Sequence, residues 1–139
     1  MVIRPFRFAD EPQVIALWKS CELVRPWNDP QKDIQRKLQV QPELFLVGAL
    51  DETIVATVMA GYEGHRGWLN YLAVSPPQQR RGFGRAILDY AIAHEQRAGA
   101  TFFFLGASDE GRPLYEKVGF REVASAQLWV TGPPVPSGR

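Results

Sequence analysis

The residues best suited to chemistry lie between a strand-like run, Trp68–Val74, and a helix-like run, Phe83–Ala98. Gly82 and Gly84 open that helix, so several backbone N–H groups point outward with no side chain beside them. Because a helix N-terminus carries about half a positive charge, such a turn can hold a phosphate or pyrophosphate. The alternative interpretation is a strand-to-helix turn that needs glycine for its shape and carries solvated charge.

The same loop is locally basic. Arg80, Arg81 and Arg85 lie within it, and residues 79–85 contain no acid. Two common nucleotide motifs do not fit. The third glycine of a dinucleotide fingerprint would fall at Ile87, and no Gly-Lys-Ser/Thr of a phosphate-binding P-loop follows.

The composition restricts the possible partners. The 139 residues carry 16 basic and 15 acidic side chains, a net charge of +1, which argues against a nucleic-acid or membrane partner. The length predicts one domain, assigned to residues 1–130. Three prolines and two glycines predict a disordered tail over residues 131–139.

The cysteine and histidine content points in the same direction. One cysteine, Cys21, excludes an internal disulfide and indicates a reducing, cytoplasmic location. Two distant histidines and one cysteine have no metal-ligand spacing, so no metal is expected.

Hydrophobic periodicity and turn residues predict a mixed α/β sheet with a parallel crossover between its later strands. Asp10, with Gln13 three residues on, predicts a capped first helix, and Asp29-Pro30 predicts the start of a second. The two remaining helices are predicted over Phe83–Ala98 and Arg112–Val118. The predicted strands are Val2–Phe8, Leu44–Leu50, Ile54–Tyr62, Trp68–Val74, Thr101–Leu105, Phe120–Val123 and Gln127–Val130.

Two motifs in this order resemble the GNAT superfamily of acetyl-CoA-dependent N-acetyltransferases. One is Gln79-Arg80-Arg81-Gly82-Phe83-Gly84 after the fourth strand, and the other is Leu114-Tyr115-Glu116-Lys117-Val118-Gly119-Phe120 after the fifth. The resemblance implies an acyl-CoA N-acyltransferase fold. In that fold a mostly antiparallel sheet, with a parallel, splayed pair of fourth and fifth strands, is flanked by about four helices. Residues 23–30 and 61–67 further resemble a small bacterial YpeA-type branch.

The resemblance also implies the residues that hold acetyl-CoA. The loop would bind the pyrophosphate, and the free edge of the fourth strand would pair with the pantetheine arm like an added strand. The chain departs from the family at two positions: Arg80 stands where many members have glycine, and Ser108 where they often have asparagine. The implied cofactor-binding residues are Leu72, Ala73, Val74, Gln79, Arg80, Arg81, Gly82, Phe83, Gly84, Arg85 and Ser108.

The same resemblance makes Tyr115 the candidate acid that protonates the departing thiolate. The alternative for Tyr115 is a helix aromatic packed on the sheet. Glu63 and His65 are the candidate bases for the amine proton, or else solvated loop residues. Residues that could shape the acceptor site are Arg25, Trp27, Asn28 and Asp29.

These features favour an N-acetyltransferase that joins acetyl-CoA and a primary amine in a ternary complex. The amine could belong to a small molecule or to a protein, and the chain could be a monomer or a homodimer. Two alternatives stay open: a non-catalytic acyl-CoA-binding module that lacks a base, and a structural domain whose glycines only serve a turn.

Overall fold

A computed structural model describes residues 1–126 and 128–132 of the chain. One five-stranded sheet has its strands in sequence order, with β4 and β5 parallel and every other pair antiparallel. The predicted mixed α/β sheet is therefore confirmed. The strands are β1 (Val2–Pro5), β2 (Phe45–Leu50), β3 (Thr53–Tyr62), β4 (Gly67–Val74) and β5 (Phe103–Phe104).

Helices cover both faces of the sheet, because the strands bury side chains on both sides. β2 is apolar throughout and alternates between two cores. Phe45 and Val47 belong to the first core, which α1 and α2 cover, and Leu46 belongs to the second, which α3 covers. The helices are α1 (Glu11–Ser20), α2 (Pro30–Lys37), α3 (Phe83–Ala98) and α4 (Arg112–Val118).

A β-bulge interrupts the pairing of β3 with β4. The register shifts where Thr57 opposes Ala73 but Met59 opposes Asn70, and Tyr71 has a φ of 51°. That left-handed conformation is unusual for a residue other than glycine. Buried Thr57 stabilises it, because its Oγ1 donates to the Tyr71 carbonyl at 2.8 Å and accepts from Trp18 Nε1 at 2.9 Å.

The parallel pair of β4 and β5 is short. Gly67 pairs with Phe103 and Trp68 with Phe104, and in the part of the chain described no strand pairs with this edge beyond Trp68. The predicted splay between the fourth and fifth strands is thus present, and β5 is shorter than the predicted Thr101–Leu105.

The two final strands predicted at Phe120–Val123 and Gln127–Val130 are wrong where they can be compared. Residues 120–126 and 128–130 contain no strand. A strand needs a backbone partner and a buried face, whereas Leu128 and Trp129 are more than 80% exposed. Residue 127 and residues 133–139 of the predicted tail lie outside the described residues, and the domain limit at 130 stays a prediction.

The predicted capping box at the start of α1 is also wrong. Asp10 makes no capping hydrogen bond to α1. Its carboxylate instead accepts two hydrogen bonds from the Arg4 guanidinium, at 2.7 and 2.9 Å, which lower the pKa of Asp10. Gln13 bridges to β3 by accepting from the Ile54 amide at 2.9 Å.

No helix in residues 1–126 and 128–132 is both long enough and apolar enough to cross a membrane. Within the same residues, no group of three or more His, Cys, Asp or Glu side chains is arranged to hold a metal ion.

Candidate active site

A cavity of about 620 Å³ lies where β4 and β5 separate. It is bordered by α2 with the segments before and after it, by the bulged part of β4, by the segment from β5 into α4, and by Met59 of β3 and Leu88 of α3. Of the predicted site residues, Asn28, Leu72, Ser108 and Tyr115 border this cavity. The splay thus places the candidate acid and the free edge of β4 around one space.

The predicted phosphate loop follows β4 at this open end. Gly82 precedes α3 with a φ of 83°, and no atom lies within 4 Å of where its Cβ would be. The left-handed backbone explains the glycine, and the open space fits a bound phosphate group. Gly84 has a different role, because a Cβ there would lie 3.1 Å from Leu114 and 3.4 Å from Val74. Gly84 therefore lets α3 approach α4 and β4.

The polar side chains of the loop are exposed and make local contacts. The Arg81 guanidinium contacts Gln78 Oε1 and lies 5.2 Å from the centre of the Phe83 ring. Arg85 Nε lies 3.7 Å from Asp89 Oδ2, with both side chains about half exposed. Such exposed pairs contribute little stability, so both guanidinium groups can turn toward a ligand at small cost.

The two remaining polar residues of the loop are Arg80, which has a left-handed backbone, and Gln79, which hydrogen-bonds to a backbone carbonyl. Arg80 has a φ of 64°, a conformation that favours glycine, and an exposed side chain. Gln79 Nε2 donates to the Val74 carbonyl at 3.0 Å and so fixes the end of β4. Val74 and Ala73 lie in β4 between the cavity and the loop, although they do not border the cavity itself.

Tyr115 lies in α4 and borders the cavity. Its ring meets Phe120 edge to face, with 6.1 Å between the ring centres, and burial raises the pKa of its phenol. Gly111 makes room for the ring, because a Cβ there would lie 2.9 Å from Tyr115 Cε2. A phenol with a raised pKa stays protonated at neutral pH, as a proton donor must.

Ser108 stabilises the turn that precedes α4. Its Oγ accepts from the Gly111 amide at 3.1 Å, and its carbonyl accepts from the Arg112 amide at 3.1 Å. The hydroxyl still has a proton to donate, so the predicted contact with pantetheine stays a prediction.

Glu63 and His65 lie in the turn between β3 and β4, at the opposite end of β4 from the phosphate loop. Glu63 Oε1 accepts from the amides of His65 and Arg66 and so stabilises the turn. Neither side chain borders the cavity. The cavity lining on β4 begins at Leu69, two residues after Gly67. A direct role for either group as base stays a prediction.

The four residues predicted to shape the site of the amine acceptor have different environments in the structure. Asp29 caps α2, because its Oδ1 accepts from the Lys32 amide at 3.2 Å. Arg25 is exposed and Trp27 half-buried, and neither borders the cavity. Asn28 does border it, and its Nδ2 donates to the Tyr71 hydroxyl at 2.7 Å.

Sequence reasoning missed a polar cluster on the wall of the cavity. Tyr71 donates from its hydroxyl to Asp33 Oδ2 at 2.5 Å, and its ring stacks on Trp18 with 3.8 Å between the ring centres. Arg36 donates to Asp33 Oδ1 at 2.6 Å. The sequence does place Asp33 and Arg36 on one helix face, three residues apart. Their link to Tyr71, 38 residues beyond Asp33, had no sequence signal.

Comparison with known proteins identifies the family of this chain. The sequence profile of the acetyltransferase (GNAT) family matches residues 12–120. An acetyltransferase of Yersinia pestis (strain Pestoides F) is 53% identical over 88 residues, which are 63% of this chain and 62% of that protein. The match therefore spans less than two thirds of this relative's length.

Two solved structures share the fold. A predicted acetyltransferase from Clostridium acetobutylicum, solved with acetyl-CoA, has a TM-score of 0.73 at 18% identity and covers 93% of this chain and 95% of its own. The ribosomal-protein-S18-alanine N-acetyltransferase of Escherichia coli has a TM-score of 0.71 at 21% identity, covering 88% and 79%. The YpeA-type branch stays a prediction. Because the family profile matches most of the sequence, the chain belongs to the acetyltransferase (GNAT) family.

Proposed function

We propose that this protein transfers the acetyl group of acetyl-CoA to a primary amine by direct attack in a ternary complex. The observation that carries the proposal is the cavity at the splay, because it is bordered by β4, by Tyr115 and by α2 at once. Two substrates must meet in one space for direct transfer, and this space lies between the phosphate loop and a polar wall. The reducing cytoplasm stays the predicted location.

The residues present fit acetyl-CoA as a substrate. The loop from Arg81 to Arg85 would bind the pyrophosphate with backbone N–H groups at the start of α3. The open space at Gly82 and the exposed side chains of Arg81 and Arg85 support this arrangement. The edge of β4 after Trp68 would pair with the pantetheine arm, since β5 does not pair with it there.

The chemistry then needs a polarised carbonyl and two proton transfers. A backbone N–H of Leu72, Ala73 or Val74 would donate to the thioester oxygen as negative charge develops on it. The amine nitrogen forms a bond to the acetyl carbon, and the carbon–sulfur bond breaks. Tyr115 would give its phenol proton to the departing thiolate, and Glu63 or His65, through water, would take a proton from the amine.

A second candidate function is acyl-CoA binding without transfer. The observation that favours it is the engagement of Glu63 in the turn, which leaves the base unassigned. Release of free thiol from acetyl-CoA, measured across a panel of amines, separates the two. Amine-dependent release supports transfer, and binding without release on any amine supports the second function.

The cofactor site is tested by the variant Gly82→Val. Acetyl-CoA at about 100 times its dissociation constant should add roughly 2.7 kcal/mol to the unfolding free energy of the unmodified chain. A valine at residue 82 would fill the phosphate space and should remove this gain in a thermal-shift measurement.

Gly64→Val is the matched control. Gly64 also has a positive φ, 101°, and no atom within 4 Å of its Cβ position, but it lies in the turn between β3 and β4. Both variants place a valine at a positive φ, and only Gly82→Val should lose the acetyl-CoA shift. An undiminished shift in Gly82→Val would contradict the assignment of the loop.

A further inference from the structure

The wall that α2 contributes to the cavity has an excess of positive charge. Among the described residues that border the cavity, three are charged: Asp33, Arg36 and Lys37. All three lie on α2, which begins at Pro30 and ends at Lys37. An amine is itself a cation at neutral pH, so this wall suits an amine only if the acceptor also brings negative charge.

Lys37 is the least expected of the three. It is 9% exposed, and its Nζ donates to the carbonyl of Ala60. An ammonium group has three N–H donors, and this carbonyl is the one acceptor that the described residues give it. Burial lowers the pKa of Lys37, while the carboxylates of Glu43 and Glu95 oppose that change and favour the charged form.

Asp33 and Arg36 form the other half of the wall. The Asp33 carboxylate is held on two sides, by the Tyr71 hydroxyl and by Arg36, and its side chain is 23% exposed. The Arg36 side chain is 68% exposed, so most of its donors face outward. Tyr71 is itself fixed by its stack on Trp18. The acid is thus rigidly placed, with cationic side chains beside it on the same helix.

We propose that the acceptor carries an anionic group, a carboxylate or a phosphate, close to its amine. The proposal rests on the proposed function and deepens it by naming the class of amine. The ammonium of the acceptor pairs with Asp33, and the anionic oxygens pair with Arg36 and Lys37. An acceptor with both charges matches the one acidic and two basic side chains that α2 places on this wall.

Charge-assisted hydrogen bonds of this kind are stronger than neutral ones. Loss of one to a charged group weakens binding by roughly 10- to 100-fold. Removing one partner from a buried polar contact can destabilise the fold. Arg36→Gln, at the exposed position, is therefore the main variant, and Lys37→Met, with its thermal unfolding measured beside it, is the second. Asp33→Asn tests the ammonium contact.

Lys32→Met is the matched control. Lys32 lies on the same helix, is exposed and does not border the cavity, and its replacement changes the net charge by the same amount. The substrates are matched too: an amino carboxylate, its amide, and an aminoalkyl phosphate of similar length, each assayed by thiol release with acetyl-CoA in excess.

The proposal predicts that the unmodified protein prefers an anionic acceptor to the amide by at least about tenfold in kcat/KM. Lys37→Met and Arg36→Gln should raise KM for the anionic acceptor and leave KM for the amide unchanged. Asp33→Asn should raise KM for both. Lys32→Met should change none of these values. The ratio of the carboxylate to the phosphate shows which anion the wall accepts better.

Several results would overturn the proposal. One is equal use of the amide and the anionic acceptors, which would leave the acetyl transfer intact and remove only the anion site. Another is weaker acetyl-CoA binding in Lys37→Met with unchanged acceptor KM, which would assign the cation to the cofactor. If no amine releases thiol while acetyl-CoA still binds, the proposed function itself fails, and the anion site falls with it.

Discussion

The two ends of β4 differ in their partners, although they belong to one eight-residue strand. At the first end, Gly67 and Trp68 pair with β5, and the sheet is closed. At the second end, the bulge at Tyr71 bends the strand and no described strand pairs with its outer edge. The cavity therefore forms where β4 lacks a partner strand on its outer edge, and the polarity of β4 does not decide its place.

The closed end of β4 packs against a buried acidic side chain. Glu95 of α3 is fully buried, and a Cβ on Gly67 would lie 2.2 Å from its Oε2 and 2.7 Å from the Phe103 ring. Neither carboxylate oxygen makes a hydrogen bond of normal geometry within the described residues. Burial raises the pKa of Glu95 to about 7, against the opposing effects of the Gly61 amide and the Lys37 charge.

The open end is where we propose that the chemistry takes place, and its largest expected effect comes from Tyr115→Phe. This variant keeps the packing of the ring and removes the proton that we assign to the thiolate. General acid catalysis contributes about 10²–10⁴ in rate, so kcat should fall by that factor while acetyl-CoA affinity and thermal stability stay nearly constant.

Tyr90→Phe is the control for this measurement, because Tyr90 packs on the second core and does not border the cavity. It should retain full turnover. A Tyr115→Phe protein with unchanged kcat on an accepted amine would show that another group, or water, protonates the thiolate.

The closed end gives the next largest effect, a dependence of stability on pH. Between pH 4.5 and about 7 the folded chain keeps the Glu95 proton that the unfolded chain releases. The folded state therefore binds more protons, and the unfolding free energy falls as pH rises through this window. The shift corresponds to at most about 3 kcal/mol.

The measurement is the unfolding free energy of the unmodified chain minus that of Glu95→Gln, from pH 4 to 8. The effect of Asp10, whose pKa is lowered, is shared by both proteins and cancels. Asp89→Asn, an exposed acid on the same helix, should give a flat difference. A flat difference for Glu95→Gln as well would show that water reaches the closed end.

The smallest effect is expected at the arginines of the open end. Arg81→Ala or Arg85→Ala should weaken acetyl-CoA binding by roughly tenfold and reduce its dependence on salt, since an exposed ion pair is worth only about 1 kcal/mol in water. Arg97→Ala, at the far end of α3, is the control and should change neither property. Abolished binding in either loop variant would mean that side chains, rather than backbone amides, hold the phosphates.

The sequence predicted the strong periodic elements well. Buried β2 and amphipathic α3 were found because their patterns are long and end at clear turns, such as Gly99 after α3. The sequence also placed Gly82 and Tyr115 at one end of the molecule through the order of two motifs. Periodicity and short motifs depend on residues close together in the chain, and a sequence pattern can report them directly.

The features that the sequence did not predict depend on contacts between residues far apart in the chain. Glu95 was not expected to be buried, because an acid on a helix is ordinarily solvated. The cluster of Asp33 and Tyr71 joins a helix to a strand, and the bulge that orients Tyr71 depends on Thr57 of a third element. The spacing of these residues along the chain does not indicate that they are in contact.

The bulge affects how β4 can tolerate a deletion during evolution. Because it absorbs one extra residue, Leu69 packs in the second core while Ala73 packs in the first. Loss of one residue among residues 70–71 would restore an unbroken ladder, and both side chains would keep their cores. Deletion of a single codon here would therefore change the shape of β4 beside Tyr71 while the strand keeps both cores, so that the candidate site and the scaffold are separable by evolution.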